Sequence, residues 1–479
     1  MLLLELAMRR LVLIWISLVL SVSALAGADE DAEAKITVGA AAVELHHAEH
    51  FSAPRQFNGA WGPDELQGSD GMLRAVATVV QGPPAQTRIA IVALDLKAIG
   101  RDSLDTAARE IEKRTGIPFD HILINCTHSH SSLSTVKVAG VDALPEHVAE
   151  VKRAIVESVV QANEKLKESP PVKVLFKMGR EETVGENSRI ELRDGSILWL
   201  LHPKEEWLRP TGPFDPDFPV LAFKRPDRSL AAVVFGHSTH NIGSRHPGRW
   251  SPGFYGLAAQ TFEQESGAVT TFLVGAAGST HLLGFDEQTL GSPQVPVEAE
   301  SRILNALRYT VDQSKPMLVN RIASARREVT VTVRNFDEKK EAAAVSDYAH
   351  KYILPEHPGD NPAEKMAATF RQMRAELAAH RGEKRKTWIT VMRIGDVAIV
   401  GVPCEFFAQL GLDIKQRSPF QHTIIAELAN DWVGYVADAD AYRLGGYQTW
   451  MGLHSWTERG TGELFVNEAV KLLNELYVQ

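Results

Sequence analysis

Two histidines spaced two residues apart, in Thr127-His128-Ser129-His130, are the strongest chemical signal in the chain. They directly follow Ile122-Leu123-Ile124-Asn125-Cys126, an apolar stretch with the length and character of a buried strand. In α/β sheets ligands bind beyond the carboxyl ends of strands, which is where this pair falls. While the backbone stays extended, residues two apart point to the same side, so both imidazoles address one site. Imidazole nitrogens are the commonest protein ligands for zinc, and metal binding is the chemistry expected here. Read alone, the pair also fits hydrogen-bonded loop histidines.

Holding such a pair requires a sheet, and the chain supplies the elements for one. Lys35–Val38, Leu73–Val80 and Arg88–Leu94 read as strands. Ser103–Arg114 is amphipathic, with Ser103 suited to the N-cap and Gly116 to the stop. After the Ile122–Cys126 strand a helix is expected from Pro145 to Lys167, opened by its proline. The alternation recurs as strand Ala231–Phe235, helix Phe254–Glu265, strand Thr270–Gly275 and helix Val297–Asp312. Arg326–Val333 alternates at strand period, and Trp388–Val402 reads as two strands joined near Gly395-Asp396. Glu405–Lys415 is expected to begin a helix, and Thr461–Glu475 to form the closing one. This order predicts an α/β fold with mixed, mostly parallel sheets flanked by helices. No internal repeat or low-complexity linker divides residues 35–479, which are expected to form a single large domain. A charged, Ala-rich helical insertion at about 338–386 would lie on its surface or over a cleft.

Composition narrows the function classes. The 479 residues are 44% hydrophobic and 23% charged, as in an ordinary globular protein with a large core. A formal charge of −9 and a pI near 6.0 argue against nucleic acid, whose phosphates need a clustered basic surface. Arg9-Arg10, the apolar Leu11–Leu20 and the small-residue site Ala24-Leu25-Ala26 read as a signal peptide over residues 1–26, with Met8 as an alternative start. A secreted or periplasmic product is expected; an uncleaved anchor is the alternative. No later apolar run reaches membrane-spanning length, so membrane contact would be peripheral. Two cysteines, Cys126 and Cys404, cannot supply a disulfide framework and read as small buried hydrophobes.

Four segments extend the signal and occur in a telling order. These are Asn125-Cys126-Thr127-His128-Ser129-His130-Ser131, Phe235-Gly236-His237-Ser238-Thr239, Val402-Pro403-Cys404-Glu405-Phe406-Phe407, and Asp431–Val436 with Gly445-Gly446-Tyr447 after it. Together they resemble the N-terminal catalytic domain of the neutral/alkaline non-lysosomal ceramidase family, over roughly residues 35–479. The resemblance implies one zinc ion per chain held by His128, His237, Glu405 and Tyr435. It implies proton transfer or support of the metal by His130, and an oxyanion hydrogen bond from Tyr447. The reaction implied is hydrolysis of an amide in an N-acyl substrate, a sphingolipid or something smaller, by zinc-activated water. Singly, His237 also fits a satisfied strand-end histidine, Glu405 a first-turn residue and the tyrosines packed aromatics.

The departures from the family concern the substrate. Where ceramidases carry Gly-Asp-x-Ser-Pro, this chain reads Gly278-Ser279-Thr280-His281, which makes Ser279 a substrate-binding candidate and His281 a candidate for proton transfer. Arg189, in Asn187-Ser188-Arg189, is the candidate for the family's substrate arginine, and His240 is expected to line the pocket. His46, His47 and His50 read as loop histidines. A counterpart of the family's C-terminal immunoglobulin-like domain is not expected after the closing helix. Two alternatives remain beside the amide hydrolase: a lipid- or glycan-binding homologue without turnover, and a zinc-dependent esterase or lactonase.

Overall fold

A computed structural model describes residues 35–45, 55–58, 63–199, 206–283, 294–353 and 360–478. The expected signal peptide and His46, His47 and His50 lie outside the described residues. Ile36–Gln479 form one compact unit.

Three sheets carry the architecture. The first is built from β1 (Thr37–Glu44), β2 (Arg74–Gly82), β3 (Thr87–Leu94) and β4 (Ile122–Cys126), in that spatial order. The second contains β5 (Lys173–Arg180), β6 (Asp217–Lys224), β7 (Leu230–His237) and β8 (Val269–Val274), in spatial order β8-β7-β6-β5. The third contains β9 (Ile322–Thr332), β10 (Lys384–Ile394), β11 (Val397–Gly401) and, beyond a two-residue strand β12 (Glu405–Phe406), β13 (His422–Ala426).

The strand pattern explains how the sheets stack. Successive side chains of a strand face opposite ways. Ala90, Val92 and Leu94 of β3 therefore enter a core shared with the flanking helices, while Ile89 and Ile91 enter another shared with the other two sheets. That central core gathers Val80 and Leu123, Leu221 and Leu273, Met392 and Ile399, so each sheet contributes to it. Each fully buried aliphatic or aromatic side chain contributes roughly 1.5–3 kcal/mol. Helices cover the outer faces: α1 (Arg101–Thr115), α2 (Pro145–Glu168), α3 (Gly253–Ser266) and α4 (Gln294–Asp312) on the first two sheets. Over the third lie α5 (Glu338–Tyr352), α6 (Pro362–Leu377), α7 (Ala408–Arg417) and, beyond a short helix α8 (Ala439–Leu444), α9 (Thr461–Val478).

The α/β class is as expected, but antiparallel ladders outnumber parallel ones. Within the main sheets, each contains one parallel pair: β3–β4, β7–β8 and β11–β13. The remaining ladders in those sheets are antiparallel. The insertion at 338–386 holds α5 and α6, with its last residues already in β10. Glu405 lies in the short strand β12, and the helix expected from it begins instead at Ala408. α1 starts at Arg101 after Gly100, without a side-chain cap, and Gly116 ends it at φ 71°. Among the described residues no helix is long and apolar enough to cross a membrane.

Candidate metal centre

The carboxyl ends of the three parallel pairs meet at one place. Past Cys126 at the end of β4 come His128 and His130; past His237 at the end of β7 comes His240; past Gly401 at the end of β11 comes Glu405. β12 then pairs in parallel with β14 (Tyr435–Val436), with Glu405 opposite Tyr435. Opposed residues of a ladder project to the same face, so register alone sets the carboxylate beside the phenol.

The donor atoms face one another across short gaps. His128 Nε2 lies 3.2 Å from His130 Nε2 and 3.4 Å from Glu405 Oε2. His240 Nε2 lies 3.4 Å from the same oxygen and 3.0 Å from Tyr435 Oη. Ligands at 2.0–2.1 Å from a tetrahedral zinc stand roughly 3.3–3.4 Å apart, which the two 3.4 Å separations match and the two shorter ones approach. Among the described residues, His128, His130 and His240 form a buried group able to hold a metal ion. The convergence does not come from extended backbone: His128 sits at φ 62°, a left-handed kink that turns the chain before His130.

Each donor is braced from behind. His128 Nδ1 donates to Lys97 O at 2.9 Å and His240 Nδ1 to Ala277 O at 2.8 Å, which fixes both tautomers and leaves Nε2 with its lone pair toward the centre. Trp432 Nε1 donates to Glu405 Oε1 at 3.0 Å, leaving Oε2 to face the imidazoles. His130 Nδ1 is buried without a hydrogen-bond partner among the described residues. Two glycines let the supporting loops close up. A Cβ on Gly278 would stand 2.4 Å from Glu405 O, and one on Gly434 2.4 Å from His454 O, where φ is also +78°.

Glu427 was not visible as a site residue in the sequence. Its Oε2 accepts from Phe406 N at 2.6 Å and Ala277 N at 3.0 Å, so one buried carboxyl ties the loop behind His240 to the residue after Glu405. Burial, with Glu405 nearby, pushes its acid well above the usual carboxylate range. Glu427→Ala is expected to weaken metal binding 10–100-fold, the cost of losing an outer support, while Glu427→Gln keeps most of it. Competition with a chromophoric chelator measures both.

The structure divides the residues singled out in the sequence into two groups. His128, His130, His240, Glu405 and Tyr435 come together. His237 does not. Its Nδ1 accepts from Tyr255 Oη at 2.5 Å and its Nε2 donates to Glu181 O at 3.0 Å, with Phe214 and Phe218 beside the ring. Both nitrogens are occupied because residue 237 still belongs to the ladder and faces α3; the chain must turn before a side chain can enter the centre. His240 takes the place expected of His237. His281 stacks behind His240, with ring centroids 5.5 Å apart and planes 16° from parallel, and its Nδ1 accepts from Leu282 N.

Arg189 and Ser279, expected to bind substrate, are engaged within the protein. The buried guanidinium donates to Gln448 Oε1, Ala441 O and Gly445 O, holding the loop that carries Tyr447. Ser279 Oγ accepts from Ala408 N at 3.0 Å, at the start of α7. Tyr447 stands edge-on to Tyr435 at 5.8 Å and stacks on His454 at 5.0 Å, with Phe370 of α6 behind both. His454 and Lys97 complete the surroundings and also went unseen in the sequence.

Electrostatics favour the ligand forms of His130, His240 and Glu405. Burial, Lys97 and the two neighbouring imidazoles hold His130 well below the ordinary imidazole range. Burial and His128 lower His240 likewise. Burial raises the acid of Glu405, but His128 and His240 outweigh it and the carboxyl is held well below its usual range. Burial and Glu405 push the Tyr435 and Tyr447 phenols up. Lys97 is lowered by burial, against the pull of Glu405, to about 8. Imidazoles held low, as His130 and His240 are, beside a carboxyl held low suit a divalent cation.

Among solved structures, neutral ceramidase from Pseudomonas aeruginosa superposes with a TM-score of 0.66, covering 92% of this chain and 74% of that one at 17% identity. The fold is ceramidase-like. A ceramidase complexed with C2 matches equally, with a TM-score of 0.67, 16% identity, and coverage of 93% and 75%. No protein-family model matches the chain, and no curated protein matches it significantly. At such identities the likeness to ceramidases is one of architecture, and the chemistry rests on this chain's own residues.

Proposed function

We propose that the protein is a zinc-dependent hydrolase, with one ion per chain, that cleaves the amide bond of an N-acyl compound. The observation that carries the reading is the ring of donors: two braced imidazoles, a carboxylate and a phenol facing one point at ligand-shell spacing. Ceramidase-like architecture agrees with it, as does the buried, polar character of the site.

His128, His240, Glu405 and Tyr435 would hold the ion. His128 and His240 each have the carbonyl support that metal-bound histidines almost always show, whereas His130 Nδ1 has none. That difference gives His130 the mobile proton. A zinc ion so held would supply Lewis-acid polarisation of a carbonyl and a water acidic enough to act at neutral pH. Tyr447 Oη donates to the carbonyl oxygen as negative charge gathers there. His130 takes a proton from the attacking water and passes it to the departing nitrogen. The packed surroundings of Trp432, Phe370 and His454 exclude bulk water, so the polar groups act in a low dielectric. The reading includes export, on the strength of residues 1–26.

Metal analysis of the purified protein is expected to find about one zinc per chain. Dialysis against a chelator should abolish hydrolysis of N-acyl amines, and added zinc should restore it. Protein without stoichiometric metal, or with activity indifferent to its removal, would falsify the reading. Esters and lactones run beside the amides decide which bond is cut.

A further inference from the structure

The insertion that holds α5 encloses space lined by none of the metal centre's donors. Asp337, Lys340, Glu341 and Ala344 are spaced three and four apart, so they share one face of α5 and its cap. They line a cavity of about 750 Å³ together with Tyr442 and Leu444 of α8 and with Gly445, Gly446, Thr449 and Trp450. A second cavity, of about 200 Å³, shares Ala344, Gly446 and Trp450 with the first and continues to Ile197, Tyr348 and Tyr352. Tyr447 lies in the segment bordering both, yet it lines neither and meets Tyr435 edge-on instead.

The larger cavity has a buried positive charge in its wall. Arg334, just past β9, is 8% exposed. Its Nη2 donates to Thr449 O at 3.0 Å and Ser455 O at 3.3 Å, while Nη1 and Nε have no partner among the described residues. The Arg334 guanidinium carbon lies 5.3 Å from the centre of the Tyr442 ring, and that of Arg459 lies 5.8 Å from the same ring. No described carboxylate pairs with Arg334. Asp337 Oδ1 caps α5, Glu341 Oε2 accepts from Met451 N at 2.9 Å, and Glu458 is exposed, as are Lys340 and Arg459. A guanidinium nine-tenths buried without an opposite charge is costly, and an anion entering the cavity offsets that cost. The smaller cavity is aromatic. Tyr348 stands edge-on to Trp450 at 5.0 Å and to Tyr352 at 4.9 Å, and the lysine there, Lys351, is paired with Asp194.

From a cation at one end and aromatic walls at the other, we propose that the joined cavities bind an amphiphilic carboxylate. Its head meets Arg334, and its chain passes Ala344 and Trp450 toward Tyr348. An alcohol of equal chain length lacks the charge that Arg334 calls for, and a bare inorganic anion leaves the aromatic walls uncovered. The fatty acid released by the proposed hydrolysis belongs to this class, but binding here requires neither zinc nor turnover.

Calorimetric titration of the purified protein with decanoate, and with decanol beside it, tests the site. Decanoate is expected to bind at least ~10-fold more tightly, the scale of a hydrogen bond to a charged group. Arg334→Met should weaken decanoate binding ~10–100-fold. Because Arg334 also holds the Thr449 and Ser455 carbonyls, Ala344→Trp is the companion variant. This exposed alanine of α5 stands where the two cavities join, and an indole there should block the chain and leave the circular dichroism unchanged. Decanoate held at the metal centre instead would be indifferent to Ala344→Trp. Loss of binding in both variants supports the proposal. Absence of decanoate binding, equal affinity for decanol, or an affinity unchanged in either variant overturns it. Neither readout involves hydrolysis, so a protein without zinc or turnover would end the hydrolase reading and leave this test standing.

Discussion

His240→Ala is expected to lose the bound metal and all metal-dependent hydrolysis, while His237→Ala keeps both. The two histidines are three residues apart and would be interchangeable in a motif search. In the structure His240 Nε2 faces Glu405 Oε2 and Tyr435 Oη, whereas both nitrogens of His237 are taken by Tyr255 and Glu181. Removing a donor should weaken binding by more than the 10–100-fold cost of an outer support. Removing His237 strips two hydrogen bonds from a buried spot and should lower stability by roughly 1–3 kcal/mol. Zinc content after dialysis, with a denaturation midpoint for each variant, separates the effects. Retention of zinc by His240→Ala, or its loss from folded His237→Ala, would refute the assignment.

Tyr447→Phe is expected to bind zinc normally and turn over ~10²–10³ times more slowly, the scale of a single lost oxyanion donor. The substitution deletes one oxygen and leaves the ring, which stacks on His454 at 5.0 Å and meets Phe370 and Trp450 edge-on. Packing is therefore conserved and the phenol is isolated as the variable. The loss should fall on kcat, because the hydrogen bond strengthens only as charge builds on the carbonyl oxygen. Wild-type turnover in this variant would leave Tyr447 as a packed aromatic.

The sequence disclosed those parts of the centre that lie directly on strand ends or in strand register. His128 and His130 follow a fully apolar strand, and that strand is β4. Glu405 and Tyr435 lie 30 residues apart in the chain, and β12 and β14 set them opposite each other. His240 was expected only to line the pocket; its place among the donors was hidden because it lies three positions past the strand-end histidine, an odd offset whose direction depends on a turn that period-two reasoning cannot follow. Lys97 and Glu427 were hidden for another reason. A charged residue just past a strand normally reads as solvated, and only tertiary packing buries both. Hairpins such as β2–β3 and β10–β11 interrupt the strand–helix rhythm, which is why mostly parallel pairing was expected and antiparallel ladders dominate.

Because each sheet delivers its own share of the donors, no fragment of the chain owns a complete set. His128 follows a strand of the first sheet, His240 one of the second, and Glu405 and Tyr435 sit in the β12–β14 pair after strands of the third. On the proposed reading, loading with zinc would thus behave as a coincidence detector: a molecule with any one layer misdocked would gain nothing from the ion. A ligand that binds only the finished state stabilises it in proportion to the logarithm of its concentration. The thermal midpoint of this protein should therefore climb with free zinc as a single transition, without a separately melting metal-binding piece.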